Sequence, residues 1–346
     1  MRLPWLCIAP APLTSGRRSR TSAAAAPLGT KMTRIHRLIG LSCLAAAIAA
    51  SATAARADCT DLLDRFNAAI AARQLAEVKA VEKEIDKDAV CGNRQVDVHR
   101  RRAALQLVLA GDLMRRGTMG PDVEALLLDA DQPDVLWQAA KAVGDLRLTQ
   151  RRFADATVAF ERALETIKNP AKTPQAPAQA TIAQVFQSAT EAKLLAANEE
   201  NKLRPAVYVP SAKDHRDGSV GGTLSSSIRG FTPQSIPLPI RFDSGSAVLT
   251  PVGEAAAKEL LEALRQQTPD QVIIVGHTDE RGGDAYNMTL SENRAKAVKK
   301  YLEQNGISAP IKIVAKGKSE PLTVDLTDLS REETWALHRR VEWRRQ

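Results

Sequence analysis

The chain has 346 residues, of which 44% are hydrophobic and 25% charged, which is enough for about two folded domains. Its net charge of +8 alone would suggest a nucleic-acid-binding protein. However, the first 57 residues hold eight Lys and Arg and no Asp or Glu, so the remaining 40 basic and 40 acidic residues cancel. The body of the protein lacks the basic surface that nucleic-acid binding requires, and we expect no nucleic-acid partner.

Residues 1–57 have the pattern of an export leader. From Met32, a basic start is followed by an apolar stretch (38–50) and by the small-x-small sequence Ala-Arg-Ala before Asp58, where we expect cleavage. Residues 1–31 are interpreted as an over-long start with Met32 as the true first residue, or as an unusual basic extension. The alternative to cleavage is a retained membrane anchor, but the apolar run is short for a span of about 20 residues. We expect no transmembrane segment in the mature chain.

Two of the four cysteines, Cys59 and Cys91, remain after the leader. In an oxidising exported compartment a lone pair is expected to form a disulfide. The bond would join positions 32 apart and contribute about 3–4 kcal/mol in the chain-entropy model. The alternative is two unpaired, buried thiols.

Residues 58–203 are predicted to be entirely helical. They are rich in Ala, Leu, Glu and Arg and lack the alternation typical of strands. Breaks between helices are predicted near 87–95, 116–121, 131–134 and 169–178.

One stretch, residues 142–165, resembles a tetratricopeptide-type helical hairpin. The resemblance depends on small and aromatic residues at characteristic spacings, namely Gly144, Phe153, Ala156, Phe160 and Ala163. The small residues would let two antiparallel helices approach, while the others fill the seam between them. A small helical bundle without repeats remains the alternative, because a stable array usually takes three or more repeats.

After the helices the sequence changes character twice. Residues 204–236 are punctuated by Pro, Gly and Ser and predict a partly extended linker. Residues 237–346 then alternate between strand and helix patterns, which predicts a compact α/β domain. The fold class is therefore multidomain: an all-α, tetratricopeptide-like N-terminal domain followed by an α/β domain.

The elements of the α/β domain are marked by local signals. A helix is predicted to start at Thr250, as N-cap, with Pro251 in its first turn. The apolar run 271–275 suits a central strand covered on both faces. A long helix should end at Asn305-Gly306. The remaining strands are predicted at 237–242, 311–315 and 339–343.

The sequence GHTDERGGDAYNMTLSENRAKAV, residues 276–298, concentrates polar residues after the central strand. His277 has no second His or Cys nearby, so we predict no metal and no cofactor. There is no Gly-x-Ser-x-Gly elbow, and the adjacent carboxylates Asp279 and Glu280 should point apart, so we predict no catalytic residues.

A grip on a charged ligand fits this stretch better. Asp279 lies just past the strand end, where α/β sheets bind ligands. Gly282-Gly283 permits a tight turn, and Asn287 and Arg294 are nearly aligned over two helical turns. A carboxylate and a guanidinium facing one pocket suit a zwitterionic, amino-acid-like ligand. The alternative is a buried Asp279–Arg294 ion pair that merely fixes the helix to the sheet.

Together with FDSGSAVLTPVGE (242–254) and RRVEW (339–343), this stretch resembles the OmpA-like (outer-membrane-protein-A-like) peptidoglycan-binding domain over residues 237–346. The resemblance implies a mixed sheet and noncovalent binding of the stem peptide of peptidoglycan through diaminopimelate. In the family's pattern the gripping residues fall on Thr278, Asp279 and Arg294. Asn287 is a supporting contact, and the Arg-Arg pair of the last strand corresponds to Arg339 and Arg340.

The leading hypothesis is an exported, non-enzymatic protein that binds peptidoglycan and tethers a helical interaction module to the cell wall. It would be periplasmic and associated with the wall and the outer membrane, with a protein partner on the helical domain. A second hypothesis is an envelope assembly scaffold for which wall binding is secondary. The third is a wall-degrading enzyme.

Overall fold

The computed structural model describes residues 59–118, 120–132, 134–203, 221–243, 245–324 and 328–346. The predicted leader, its cleavage site and residues 204–220 of the predicted linker lie outside the described residues. No helix of the described part of the chain combines the length and the apolar character that a membrane span requires.

The N-terminal region is helical, as predicted, and each predicted break lies between two helices. A 3₁₀ turn, Ala89–Arg94, separates the second helix from the third. The helices are α1 (59–71), α2 (Leu75–Lys87), α3 (Gln95–Arg115), α4 (Pro121–Asp131), α5 (Trp137–Thr149), α6 (Phe153–Lys168) and α7 (Gln179–Leu203).

Cys59 and Cys91 form the predicted disulfide, with their Cα atoms 5.6 Å apart. The bond joins the start of α1 to the 3₁₀ turn after α2. Both cysteines belong to a small apolar core with Phe66, Val78 and Ile85. The disulfide therefore fastens a core that lies apart from the sheet.

Helices α5 and α6 pack closely through Gly144. A Cβ atom at that position would lie 2.6 Å from the ring of Phe160, which is closer than carbon atoms can approach. Phe153, Ala156 and Ala163 are buried as well. The close approach predicted for this hairpin is present, while its relation to tetratricopeptide repeats stays a prediction.

The C-terminal region has a mixed four-stranded sheet, as expected. The strand order is β1-β4-β2-β3, with β2 and β3 parallel and β4 antiparallel to both its neighbours. The elements are β1 (Ser235–Leu238), α8 (Pro251–Gln267), β2 (Val272–His277), α9 (Asp284–Gln304), β3 (Ile311–Gly317), α10 (Arg331–His338) and β4 (Val341–Arg344).

The local signals in this region act as predicted. The Thr250 hydroxyl accepts a hydrogen bond from the backbone N of Gly253 at 3.2 Å and caps α8. After α9, Gly306 has a φ of 90°, in the left-handed region that a glycine adopts without strain. Val341 and Trp343 are both buried, on the same face of β4.

The prediction for the first strand was wrong in its bounds. The sequence predicts residues 237–242, whereas β1 covers Ser235–Leu238. The reason is that its partner β4 begins at Val341, which pairs with Leu238, so the chain beyond has no strand to pair with. Helix α10 was not predicted, although Ser330 and Glu333 form a capping box at its start.

Residues 221–236, the part of the predicted linker that the structure describes, are packed. Leu224 and Ile228 are buried in the same cluster as the sheet. Arg345, after β4, donates to the carbonyls of Ser225 (2.9 Å) and Pro233 (3.1 Å). This segment is therefore fixed by its packing and by its hydrogen bonds with Arg345.

Helix α7 packs against the C-terminal region as well as against α6. One apolar cluster contains Phe160 of α6, Ile182 of α7, Leu260 of α8 and Trp343 of β4. The division into domains 58–203 and 237–346 stays a prediction, and residues from both sides contribute to one core. This packing determines what lies beside the candidate site.

Candidate ligand-binding site

A cavity of about 60 Å³ lies at the C-terminal end of β2. Three of the predicted site residues line it: Arg294 from α9, and Arg339 and Arg340 from the turn between α10 and β4. The other lining residues are Asn198, Ile240, Arg241, Phe242 and His277. The topology thus gathers the predicted arginines at the edge of the sheet where the sequence places Asp279.

Asp279 is 6% exposed and is held by two arginines. Arg281 donates to both of its carboxylate oxygens, at 3.0 and 2.7 Å, and Arg339 donates at 2.9 Å. Burial raises the pKa of Asp279, but these hydrogen bonds outweigh it and lower the pKa to about 2. Asp279 is therefore ionised at any physiological pH.

Arg294 is 6% exposed and has no carboxylate within salt-bridge distance among the described residues. Its Nε donates to the carbonyl of Ser246 at 3.1 Å, and its guanidinium lies 5.2 Å from the centre of the Phe242 ring. The Asp279–Arg294 ion pair considered as an alternative is absent. Burial and nearby Arg339 lower the pKa of Arg294 to about 10, so it remains charged.

Arg241 is a site residue that sequence reasoning missed. It is buried, and its guanidinium donates to the carbonyls of Ala336 (2.9 Å), Arg339 (2.8 Å) and Leu194. Burial, followed by repulsion from Arg339 and Arg294, lowers its pKa to about 9. The available signal was an arginine inside the apolar run PLPIRF, where a charge is unexpected unless it has a specific role.

Arg340 and His277, which line one side of the cavity, belong to a buried network. Arg340 donates to Oε1 of Glu342 at 2.7 Å and to the carbonyl of Glu320 at 3.2 Å. His277 Nε2 lies 3.3 Å from the same Glu342 oxygen. Burial lowers the pKa of His277 below its ordinary value. The charge of Arg340 is thus neutralised within the protein, unlike that of Arg294.

Thr278, Asp279 and Asn287 do not line the cavity, and Asp279 is connected to it through Arg339. The backbone N of Thr278 donates to the carbonyl of Gly317 at 2.8 Å and fixes the start of the loop. The Asn287 side chain donates to the carbonyl of Arg281 at 2.8 Å. Asn287 therefore holds the loop that carries Arg281, and its effect on a ligand would be indirect.

The electrostatics of the site are unbalanced. Asp279 and Glu342 neutralise Arg339 and Arg340, but Arg241 and Arg294 have no carboxylate partner among the described residues. Burying an unpaired charge is costly unless a ligand supplies its counterion. The cavity is therefore suited to an anion, and the neighbouring Asp279 to a cation.

Comparison with known proteins assigns the region around this site. Residues 241–334 match the model of the OmpA family. The chain is 37% identical over 128 residues to a peptidoglycan-associated lipoprotein of Pseudomonas aeruginosa, an alignment that covers 36% of this chain and 70% of that protein. It is 41% identical over 93 residues to outer membrane protein A of Escherichia fergusonii, covering 26% of this chain and 38% of that protein.

A solved structure is also similar, that of the peptidoglycan-associated lipoprotein from Burkholderia pseudomallei. The two share 27% identity with a TM-score of 0.26, over 33% of this chain and 91% of that one. The resemblance noted in the sequence is confirmed by the family match and by the curated relatives. With 70% of a relative aligned at 37% identity, the chain belongs to the OmpA family through its C-terminal region.

Proposed function

We propose that this protein is an exported, non-enzymatic component of the cell envelope that binds peptidoglycan through the diaminopimelate of the stem peptide. The observation that carries the proposal is the state of Arg294. It is buried, charged and without a carboxylate partner in the described structure, and it faces a cavity beside an ionised Asp279. A ligand with a carboxylate and an ammonium on one carbon matches this pair.

In the proposed complex, the ligand carboxylate accepts hydrogen bonds from Arg294 and its ammonium donates to Asp279. Arg281 now occupies the Asp279 carboxylate, but the Arg281 side chain is 52% exposed. The ligand ammonium would replace this guanidinium as the partner of Asp279, so the buried carboxylate would stay paired with a cation. Arg339 would remain on Asp279 and keep it ionised.

The names of the relatives support the envelope location. The lipoprotein is named for its association with peptidoglycan, and the other relative is an outer membrane protein. We place this protein in the periplasm, associated with the wall and the outer membrane. The helical region would then be an interaction module for a protein partner, tethered to the wall by the C-terminal domain.

The expected affinity is modest. Two charge-assisted contacts contribute about 1.5–3 kcal/mol each, hence roughly 3–6 kcal/mol in total. This corresponds to dissociation constants from about millimolar to tens of micromolar at one site. Retention on the wall would still be efficient because peptidoglycan repeats the same stem peptide many times.

The test is co-sedimentation of the exported chain with insoluble peptidoglycan that contains diaminopimelate. Arg294→Ala and Asp279→Ala should each abolish sedimentation while the thermal unfolding transition is retained. Lys296→Ala is the matched control, because Lys296 lies one half-turn along α9 and its side chain is 55% exposed. If both site variants sediment like the wild type, the assignment is wrong.

The same preparation tests the absence of enzymatic activity. We expect no soluble fragments to be released from the wall by the purified protein, even after long incubation. Release that is abolished by Asp279→Ala would instead support a wall-degrading enzyme and contradict this proposal.

A further inference from the structure

One side of the cavity is formed by the helical region rather than by the OmpA-like region. Asn198, near the end of α7, is 7% exposed and lines the cavity with Arg294 and Arg339. The OmpA family match begins at residue 241, so Asn198 lies well outside it.

The orientation of the Asn198 amide follows from its neighbour. The guanidinium of Arg339 lies 3.5 Å from Oδ1 of Asn198. Arginine has donors only, so the oxygen of the amide must face it. The Nδ2 group, which carries two N–H donors, is then directed away from Arg339. A donor in this position adds to the guanidinium groups around the cavity and suits a carboxylate.

The position of α7 is fixed by several buried contacts. Arg241 donates to the carbonyl of Leu194, one turn before Asn198. Lys193 lies between Glu161 of α6 (3.5 Å) and Glu259 of α8 (3.1 Å). Leu194 also packs in one apolar cluster with Leu337 of α10. Asn198 is therefore held beside the arginines by the fold itself.

We propose that Asn198 is a ligand-binding residue that the helical region contributes to the peptidoglycan site. Its Nδ2 donates to the carboxylate that Arg294 holds, while its Oδ1 keeps Arg339 in place. The site is thus composite, and ligand binding stabilises the docking of α7 on the C-terminal region. This inference rests on the proposed function and adds a contact from outside the family domain.

The experiment is a calorimetric titration of the exported chain with a soluble stem peptide that contains diaminopimelate. Asn198→Ala removes the donor and should weaken binding about 3- to 10-fold. Asn198→Asp replaces the donor by a carboxylate that repels the ligand carboxylate and should weaken binding by at least about 10-fold. Asn198→Ser retains a donor and should bind better than Asn198→Ala, which a purely structural role would not predict.

Gln184→Glu is the matched control, because Gln184 is an exposed residue of the same helix and the change adds the same charge. It should bind like the wild type. If Asn198→Asp binds like the wild type while Arg294→Ala does not bind, the composite site is wrong and the proposed function stands. If Arg294→Ala also binds normally, the proposed function itself is wrong.

Thermal unfolding with and without peptide completes the test. The peptide should raise the unfolding temperature of the wild type and of Gln184→Glu, and should raise it less for Asn198→Asp. An equal rise in Asn198→Asp, at peptide concentrations that do not saturate the site, would overturn the inference even if that variant is less stable.

Discussion

Two clusters of buried charge in this molecule differ in how their charges are neutralised. In the first, the ammonium of Lys193 lies between the carboxylates of Glu161 and Glu259, all buried. Burial lowers the pKa of Lys193, but the two carboxylates outweigh it and raise the pKa above its ordinary value. In the second, Arg241 and Arg294 face a cavity and make hydrogen bonds only to backbone carbonyls.

The difference indicates two roles. The Lys193 cluster contains its own counterions and joins α6, α7 and α8, so its role is structural. The arginine cluster lacks counterions within the described structure and has room for one. A buried charge cluster that contains its own counterions holds elements together. One that lacks counterions indicates a ligand of opposite charge.

The largest effect on stability is expected from removing the ammonium of the Lys193 cluster. Lys193→Met leaves two buried carboxylates without their ammonium and should lower the free energy of unfolding by about 3–5 kcal/mol. Urea denaturation measures this directly. Lys296→Met, which removes an exposed ion pair with Glu292 on α9, should cost less than about 1 kcal/mol. Similar losses in the two variants would contradict a structural role for the Lys193 cluster.

Removing the disulfide should lower the free energy of unfolding nearly as much. Replacing Cys59 and Cys91 together by Ser should lower the free energy of unfolding of the helical region by about 3–4 kcal/mol. Sedimentation with peptidoglycan under native conditions should not change, because neither cysteine lies near the cavity. Loss of wall binding by a variant that is still folded would show that the two regions are coupled more tightly than we expect.

Removing a charge from the arginine cluster should not lower stability. Arg294→Met replaces an unpaired buried charge by an apolar side chain of similar length, so stability should stay equal or rise by about 1 kcal/mol. Urea denaturation in the absence of ligand is the measurement, with Lys193→Met as the comparison. A loss of stability as large as that of Lys193→Met would mean that Arg294 is structural.

Arg281→Ala should have a smaller effect, on the affinity for the ligand rather than on stability. In the proposed complex, Arg281 competes with the ligand ammonium for Asp279, and its guanidinium also lies 4.2 Å from the centre of the Trp335 ring. Removing it should raise the affinity for a diaminopimelate-containing peptide by about 2- to 10-fold, the net contribution of one hydrogen bond. Calorimetric titration measures the change. Weaker binding would indicate that Arg281 contacts the ligand instead.

The smallest expected effect is that of pH. The pKa of Asp279 is lowered to about 2, below its ordinary 3.8, so its contribution to stability is present above about pH 4 and is lost as pH falls toward 2. The pKa of Arg294 is about 10. Burial lowers the pKa of His277 and of His338. Asp279 and Arg294 therefore keep their charges between pH 6.5 and 8, and the affinity for the peptide should vary less than about 2-fold over that range. A larger change of affinity with pH would contradict the assignment.

Local sequence signals accounted for much of the C-terminal fold. The cap at Thr250, the stop at Gly306 and the burial of the strand 271–275 are decided by neighbouring residues, and they were predicted. The bounds of β1 were not, because they depend on where β4 begins, about a hundred residues later. The burial of residues 221–236 likewise depends on contacts with Arg345.

The candidate site was also predicted only in part, because some of its residues come from distant segments of the chain. Asp279 and Arg294 follow from their places on one strand end and one helix. Asn198 and Arg241 come from other segments, and only the packing of α7 against the C-terminal region brings them to the cavity. Nothing in the local sequence around Asn198 marks it as a ligand-binding residue. The hydrogen bonds of Arg281 to Asp279 were not predicted from the sequence either.

The central claim is that the arginine cluster binds the free amino-acid end of diaminopimelate. Its most direct test is a calorimetric titration with two stem tripeptides that differ only in the third residue, diaminopimelate or lysine. Lysine lacks the carboxylate that Arg294 would hold. We predict binding of the diaminopimelate peptide alone, at about millimolar to tens-of-micromolar affinity, and its loss in Arg294→Ala. Equal binding of the two peptides, or none of either, would contradict the account.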